Sequence, residues 1–333
     1  MTTFPATSST LSAQALRSFA IDNYGLDENA TCGLVKTGIN HTYLVKSGEA
    51  RYALRIYSCN WRTRTEVEEE VNLLNLLKER NISISYPISG KTGAYIYEIN
   101  APEGIRYAVL FSFAEGDKIR VMDEEKCENT GALTARIHEA ASGITLQRTN
   151  YDTNVLLDIS YGYVKGFFSE GLPEIKYIRD TCIEIKKIFA EGDMKNVRRG
   201  AVHLDIWYDN MSIKSKNEIT IFDFDFCGNG WLILDIAYFC KQLFHIEADK
   251  EIYEQKVKAF LNGYQSVRKL THTELYMAPY AAAALWIFYL GVQCKRFDWS
   301  NVFLTENYLK MLFTPRIKSW LDYYKGKGGF TQP

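Results

Sequence analysis

The stretch Ala201–Gly228, AVHLDIWYDNMSIKSKNEITIFDFDFCG, holds the densest set of side chains able to do chemistry. His203, Asp205 and Asn210 stand as H-x-D-x-x-x-x-N, and Asp223 and Asp225 close an apolar strand after an expected hairpin. Phosphoryl transfer needs few groups. One carboxylate orients the attacking hydroxyl and takes its proton, while an amide oxygen and a second carboxylate hold Mg2+ against nucleotide phosphates. A loop carrying Asp205 and Asn210, with a hairpin returning Asp223 beside them, supplies those groups. Asp205 must face the acceptor while Asn210, five residues on, faces the metal. Taken singly, a loop aspartate is usually a turn or cap residue, and a lone histidine is more often a hydrogen-bonded core residue. The joint pattern points to catalysis because every polar group falls where an apolar strand ends.

These residues resemble the aminoglycoside phosphotransferase/choline kinase group of kinase-like enzymes. The matching positions are His203-Leu204-Asp205, Asn210 and Ile221-Phe222-Asp223-Phe224-Asp225, followed by Gly230 and Asp235-Ile236-Ala237-Tyr238 in the family's glycine and D-hydrophobic-A pattern. The resemblance implies that Asp205 is the catalytic base, that His203 serves catalysis by supporting its loop, and that Asn210 and Asp223 bind magnesium. Asp235 would tie the loop to the next helix. The implied fold is α+β and two-lobed, protein-kinase-like, with a small β-rich N-lobe and a larger, mainly helical C-lobe, using ATP and Mg2+.

The first third of the chain bears on this independently. A kinase holds phosphates with a cation on a strand, steadied by a carboxylate on the following helix. Tyr52–Tyr57 reads as such a strand, and Glu66–Arg80 as a helix with the apolar stripe Val67, Val71, Leu73, Leu74 and Leu77. Glu70 falls inside that stripe, where a carboxylate is costly unless paired. Arg55 is its natural partner. The resembled family more often has lysine there; arginine grips phosphate in two-pronged fashion. The loop Thr37–Tyr43, with Gly38, Ile39 and Asn40, resembles the family's phosphate-covering loop but has one glycine. Ser112–Glu115, Ser112 and Phe113 foremost, would be the hinge whose backbone meets adenine, by position after the Tyr107–Phe111 strand.

The acceptor is expected in the second lobe. Trp207 and Tyr208 lie within the catalytic loop, and Asp225 and Trp286 are further candidates. Trp286, Tyr289, Phe297 and Trp299 could wall a cationic amine, although aromatics at helical spacing are more often core. Lys295 and Arg296 could meet an anion, with solvated surface as the default reading. Ile287–Tyr308 resembles the tail of the stress-response kinase branch and of type II homoserine kinases in the same group. That suggests a small hydroxylated metabolite, homoserine- or amino-alcohol-like, or a protein Ser/Thr. Aminoglycosides would favour an acidic cleft; the acidic run Glu247–Glu254 is interrupted by Lys250 and reads as a solvated helix face.

The elements that must position these residues divide into a β-rich segment, 1–115, for nucleotide and a mainly helical segment, 116–333, for catalysis and acceptor. Helices are expected over Ser12–Tyr24, Asp123–Ala141, Asp180–Ala190 and most of Leu232–Tyr324. Strands are expected over Thr42–Lys46, Gly90–Tyr97 and Arg106–Phe113, and a hairpin joins Met211–Ile213 to Glu218–Phe222 across Lys214–Asn217. The 333 residues carry 39 basic and 40 acidic side chains, a net charge of −1, so no basic field draws the chain to nucleic acid. Seven cysteines, none in a C-x-x-C pair, suit reduced thiols in a cytoplasmic protein. No signal peptide is visible in MTTFPATSSTLS. Leu275–Cys294 runs 20 residues without a charge but contains Pro279 and Gln293, and is expected to be a buried core helix rather than a membrane span. Two other readings stand beside the phosphotransferase: a nucleotide-binding pseudokinase, motivated by Arg55, and a metal-dependent hydrolase, which lacks the histidines such a site needs.

Overall fold

A computed structural model of the chain describes residues 4–192, 194–215, 218–296 and 304–330, without the Lys195 side chain. The chain divides into two compact units, Met1–Glu115 and Gly116–Pro333.

The first unit is one antiparallel sheet with two helices. Helix α1 (Ala13–Tyr24) begins at Ser12, whose hydroxyl accepts from the Ala15 N–H, and ends at Gly25 in the left-handed region. Strands β1 (Thr31–Lys36), β2 (His41–Ser47), β3 (Ala50–Ile56), β4 (Ile96–Ala101) and β5 (Gly104–Ser112) lie in the order β1-β2-β3-β5-β4. Alternation explains the register: Tyr43 and Val45 of β2 and Leu54 and Ile56 of β3 point into a core closed by Leu16, Ala20, Ala108 and Leu110. Helix α2 (Arg64–Glu79) starts with a reciprocal cap between Thr63 and Glu66 and buries the whole expected stripe, Glu70 included. The expected strand Gly90–Tyr97 is a turn followed by β4. Gly90 N–H donates to Ala94 C=O at 2.8 Å, and Gly93 at φ 83° turns the chain before pairing begins at Ile96.

The second unit is helical around two small sheets. Helix α3 (Glu124–Ala140) is capped by Asp123. Strand β6 (Asn150–Tyr151) is followed by helix α4 (Ser160–Phe167) and helix α5 (Pro173–Glu191), which starts at a proline, seven residues before the expected Asp180. Strand β7 (Arg199–Val202), the hairpin β8 (Met211–Ser215) and β9 (Glu218–Ile221), and β10 (Gly228–Trp231) frame the stretch from His203 to Asp225. The strand order β6-β10-β7 forms one sheet and β8-β9 the other. Of the expected hairpin turn, Lys216 and Asn217 lie outside the described residues. Helices α6 (Ile233–Ile246), α7 (Lys250–Val267) and α8 (His272–Lys295), a single turn α9 (Glu306–Tyr308) and α10 (Thr314–Tyr324) complete the unit. Helix α8 is long and apolar enough to cross a membrane, yet most of it is buried against α4, α5, α6 and α10.

Candidate active site

The hairpin does the positioning that the spacing required. Met211 pairs with Ile221, and the Phe222 N–H donates to the Asn210 carbonyl at 3.0 Å. Asp223 therefore leaves the open end of the hairpin beside Asn210. It sits at φ 67°, ψ 63°, a left-handed conformation that turns the strand at once into the short turn Phe224–Phe226. Asn210 Nδ2 donates to both the Asp205 carbonyl, 3.1 Å, and the Asp205 carboxylate, 2.6 Å. With its nitrogen so committed, the amide presents Oδ1 as the remaining ligand atom.

The loop is held from beneath by one buried carboxylate. Asp235, at the start of α6, accepts from the His203 N–H at 2.9 Å and the Leu204 N–H at 2.6 Å. His138 of α3 donates Nε2–H to the same carboxylate at 2.9 Å, and the Tyr264 hydroxyl donates to His138 Nδ1 at 2.8 Å. Burial alone would push the Asp235 carboxyl up; its bonds to His138 and the His203 N–H outweigh that and hold it low. Leu204 is left-handed at φ 68°, a costly conformation for a leucine. Asp235 on its N–H and the Tyr289 hydroxyl on its carbonyl, 3.0 Å, hold it there. His203 is buried, and both ring nitrogens are spent: Nδ1 accepts from the Asp205 N–H and Nε2–H donates to the Phe222 carbonyl, each at 3.1 Å. It ties the loop to the hairpin, which is the supporting position expected of it.

Asp205 is half-buried, and its carboxyl is pushed up to about 7, first by burial and then by the charge of Asp223; the Tyr238 hydroxyl, Lys241 and Asn210 oppose the rise. Such a carboxyl suits a group that must pick up a proton.

In the first unit Arg55 Nη1 meets Glu70 Oε1 at 2.8 Å, and the Tyr57 hydroxyl donates to Glu70 Oε2 at 3.0 Å. The loop Thr37–Asn40 joins β1 to β2. The Asn40 side chain accepts from the Ser58 N–H at 3.2 Å and the Ile39 carbonyl from the Ser58 hydroxyl. Gly38 lies open: a Cβ there would meet only the Asn40 carbonyl, at 3.8 Å. The expectation for Ser112 needs correction. Its N–H donates to the Tyr86 carbonyl at 2.8 Å, and its carbonyl accepts from the Ser85 hydroxyl at 2.6 Å. That backbone is committed within the unit. Phe113 lies beyond the strand, its ring under the Arg51 guanidinium at 4.4 Å.

Among the acceptor candidates, Trp207 and Tyr208 are half-buried with rings 4.7 Å apart in the catalytic loop. Asp225 is buried in the turn, and its backbone carbonyl accepts from Arg148. Trp286 is buried on α8, packed on His245 at 5.3 Å and Trp320 at 5.6 Å. Phe297 and Trp299 lie outside the described residues. Glu247, read as part of a solvated face, is buried and paired with Lys256 at 2.5 Å. Lys241, His138 and the Asp205 contact of Tyr238 escaped sequence reasoning. The available signal was the spacing of Asp235, Tyr238, Lys241 and His245 along one face of α6.

Magnesium fits the arrangement. Asn210 Oδ1 and the Asp223 carboxylate are hard oxygen donors, and Mg2+ is usually held by one or two such groups plus phosphates. Among the described residues no group of three or more His, Cys, Asp or Glu is placed to hold a metal alone.

Comparison with known proteins bears on the family and the fold. The family model described as "Phosphotransferase enzyme family" matches residues 34–270. An uncharacterized protein of Synechocystis sp. is 30% identical over 90% of this chain and 83% of its own. A homoserine kinase of Sinorhizobium fredii is 26% identical over 75% of this chain and 74% of its own. Among solved structures, a microcompartment-associated aminopropanol kinase superposes with a TM-score of 0.78 at 19% identity, covering 96% of this chain and 99% of its own. An amicoumacin kinase in complex with AMP-PNP and Ca2+ gives 0.76 at 18%, covering 93% of each. These likenesses establish the kinase-like α+β fold, and with the matched span running through both units the chain belongs to the phosphotransferase enzyme family.

Proposed function

We propose that this protein is an ATP-dependent kinase that phosphorylates a hydroxyl of a small metabolite, homoserine- or amino-alcohol-like in size. The observation that carries the reading is the 2.6 Å bond from the Asn210 amide to the Asp205 carboxylate, at the hairpin end from which Asp223 emerges. It supports a reading in which Asp205 is the proton acceptor and Asn210 and Asp223 are its metal-ligating neighbours. Asp205 orients the acceptor hydroxyl and takes its proton as the oxygen bonds to the γ-phosphorus; the bond from that phosphorus to the β-phosphate oxygen breaks, and ADP leaves. Asn210 and Asp223 would hold Mg2+, which supplies charge neutralisation at the phosphates when bound. Arg55, fixed by Glu70, would grip phosphate, the loop Gly38–Asn40 would cover it, and the backbone from Phe113 onward would meet the base. Trp207 and Tyr208 would border the acceptor. Homoserine kinases among the relatives and an aminopropanol kinase among the structures support an acceptor of this size. We place the enzyme in the cytoplasm, with neither membrane nor nucleic acid as partner.

A screen of hydroxy amino acids, amino alcohols and generic protein substrates, read by ADP release, tests this. ADP formation with one small acceptor is the expected result, and Asp205→Asn should lower kcat at least ~100-fold. Mg·ATP binding without transfer to any acceptor would leave the pseudokinase, and unchanged turnover in Asp205→Asn would overturn the assigned base.

A further inference from the structure

The aromatic surface that the sequence offered to a ligand amine already carries a cation of the chain's own. The Lys241 ammonium lies 4.0 Å from the Tyr238 ring centroid, 5.0 Å from Trp286 and 5.8 Å from Tyr289. Lys241 is only 3% exposed. Among the described residues its ammonium makes no hydrogen bond and no ion pair. A buried cation without an anion in contact is expensive, and three ring faces offset only part of that cost. Burial pulls the ammonium down to about 7, with Arg316 acting in the same direction and Asp205 against it. His245, one turn further along α6, is held neutral by burial and by Arg316, Lys241 and Lys250. Its Nε2 is buried without a partner.

Lys241 and His245 thus both lie on the Trp286 face, and Asp205 is the anion that acts on Lys241. An acceptor that brings an anion of its own supplies the contact that the buried Lys241 ammonium lacks. Tyr238, which bonds Asp205, and Lys241 are three residues apart, ~4.5 Å along the helix axis. That offset suits a hydroxyl and an anionic group separated by a few bonds.

We propose that Lys241 is the anion-binding residue of the acceptor site and that the natural acceptor is a short hydroxy acid or hydroxy amino acid bound through its carboxylate. The proposal rests on the phosphotransferase reading and narrows it: an amino alcohol without a carboxylate is the wrong substrate.

The test pairs each acid with an analogue lacking the charge, for instance L-homoserine with 2-amino-1,4-butanediol, in the full-length enzyme with Mg·ATP. The wild type should favour the acid by at least ~10-fold in kcat/KM. Lys241→Met should bring that ratio close to one, chiefly through KM for the acid, and Lys241→Arg should restore part of it. Lys241→Met should melt no lower than the wild type without acceptor, because the buried ammonium it removes has no hydrogen bond or ion pair and methionine keeps the contact with the rings. Equal loss on both members of a pair, or a marked fall in melting temperature, would make Lys241 structural and overturn the proposal. If the wild type transfers phosphate to no member of any pair and to no acceptor in the screen, the kinase reading fails on its own, and titration calorimetry with the same pairs decides the anion site. Preference for the acid that disappears in Lys241→Met supports it, and absence of any preference overturns it.

Discussion

Glu70 shows how a single side chain can announce a site. It is fully buried on a stripe of Val and Leu, a position no carboxylate takes without compensation. The compensation is Arg55 at 2.8 Å and the Tyr57 hydroxyl at 3.0 Å. Because arginine is a planar fork, the pair fixes the guanidinium's orientation as well as its charge. Glu70→Gln keeps the volume and one acceptor oxygen but removes the ionic character of the bond. Stability should fall by about 2 kcal/mol, since hydrogen bonds to charged groups contribute ~1.5–3 kcal/mol. Arg55 should also wander, raising KM for ATP ~10-fold while kcat at saturation changes less. Denaturant titration and steady-state kinetics check the two halves. A variant that loses stability with an unmoved KM for ATP would confine Arg55 and Glu70 to a structural role.

At the scale of elements, one carboxylate organises the catalytic loop. Asp235 joins α6 to the loop through two backbone N–H groups and to α3 through His138. Asp235→Asn turns an acceptor toward donors as an amide, and should cost about 3 kcal/mol while leaving Leu204 free to relax from φ 68°. The sign with pH follows from the direction of its shift. The native carboxyl is held below its ordinary value of 3.8, so its contribution is complete above about pH 4 and is lost as pH falls through the native value. The stability gap between wild type and Asp235→Asn should therefore narrow in acid, and a gap that widens would contradict the assignment. Asp235 was expected only through the family resemblance of its D-hydrophobic-A pattern, whereas Asp205, Asn210 and Asp223 stood out because polar residues at the ends of apolar strands leave a sharp pattern. The α2 stripe was legible for the same reason. Strands β6, β7 and β10 were not: at two to four residues each they are too short to show alternation, and their partners are distant in sequence. The Ser112 expectation failed similarly, since Ser85 and Tyr86, which occupy its backbone, come from a loop some 26 residues earlier. Lys241 hid in a helix that is apolar on nearly every side.

For the molecule as a whole, the sequence leaves one alternative that would change everything else: helix α8 as a membrane span. Its own defects argue for a protein interior. Pro279 has no N–H to give the Leu275 carbonyl, and that carbonyl accepts instead from the Phe330 N–H at 3.0 Å. The Pro279 carbonyl in turn accepts from the buried Trp320 Nε1–H at 2.8 Å. Gly291 lets α4 approach so closely that a Cβ there would lie 2.7 Å from the Ser160 Cα. Facing lipid tails, Gly291→Leu would be harmless or favourable, because leucine is as apolar as its surroundings. Wedged against backbone, it has nowhere to go, and overpacking of this kind costs ~1–3 kcal/mol or more. We expect Gly291→Leu to lower the melting temperature by several degrees or prevent folding, while the wild type stays in the supernatant of a detergent-free ultracentrifugation. The smaller Gly291→Ala should lie between the two in melting temperature. Wild type that pellets with membranes and a leucine variant that folds as well as its parent would together put α8 in the bilayer, and would undo the second unit described for it.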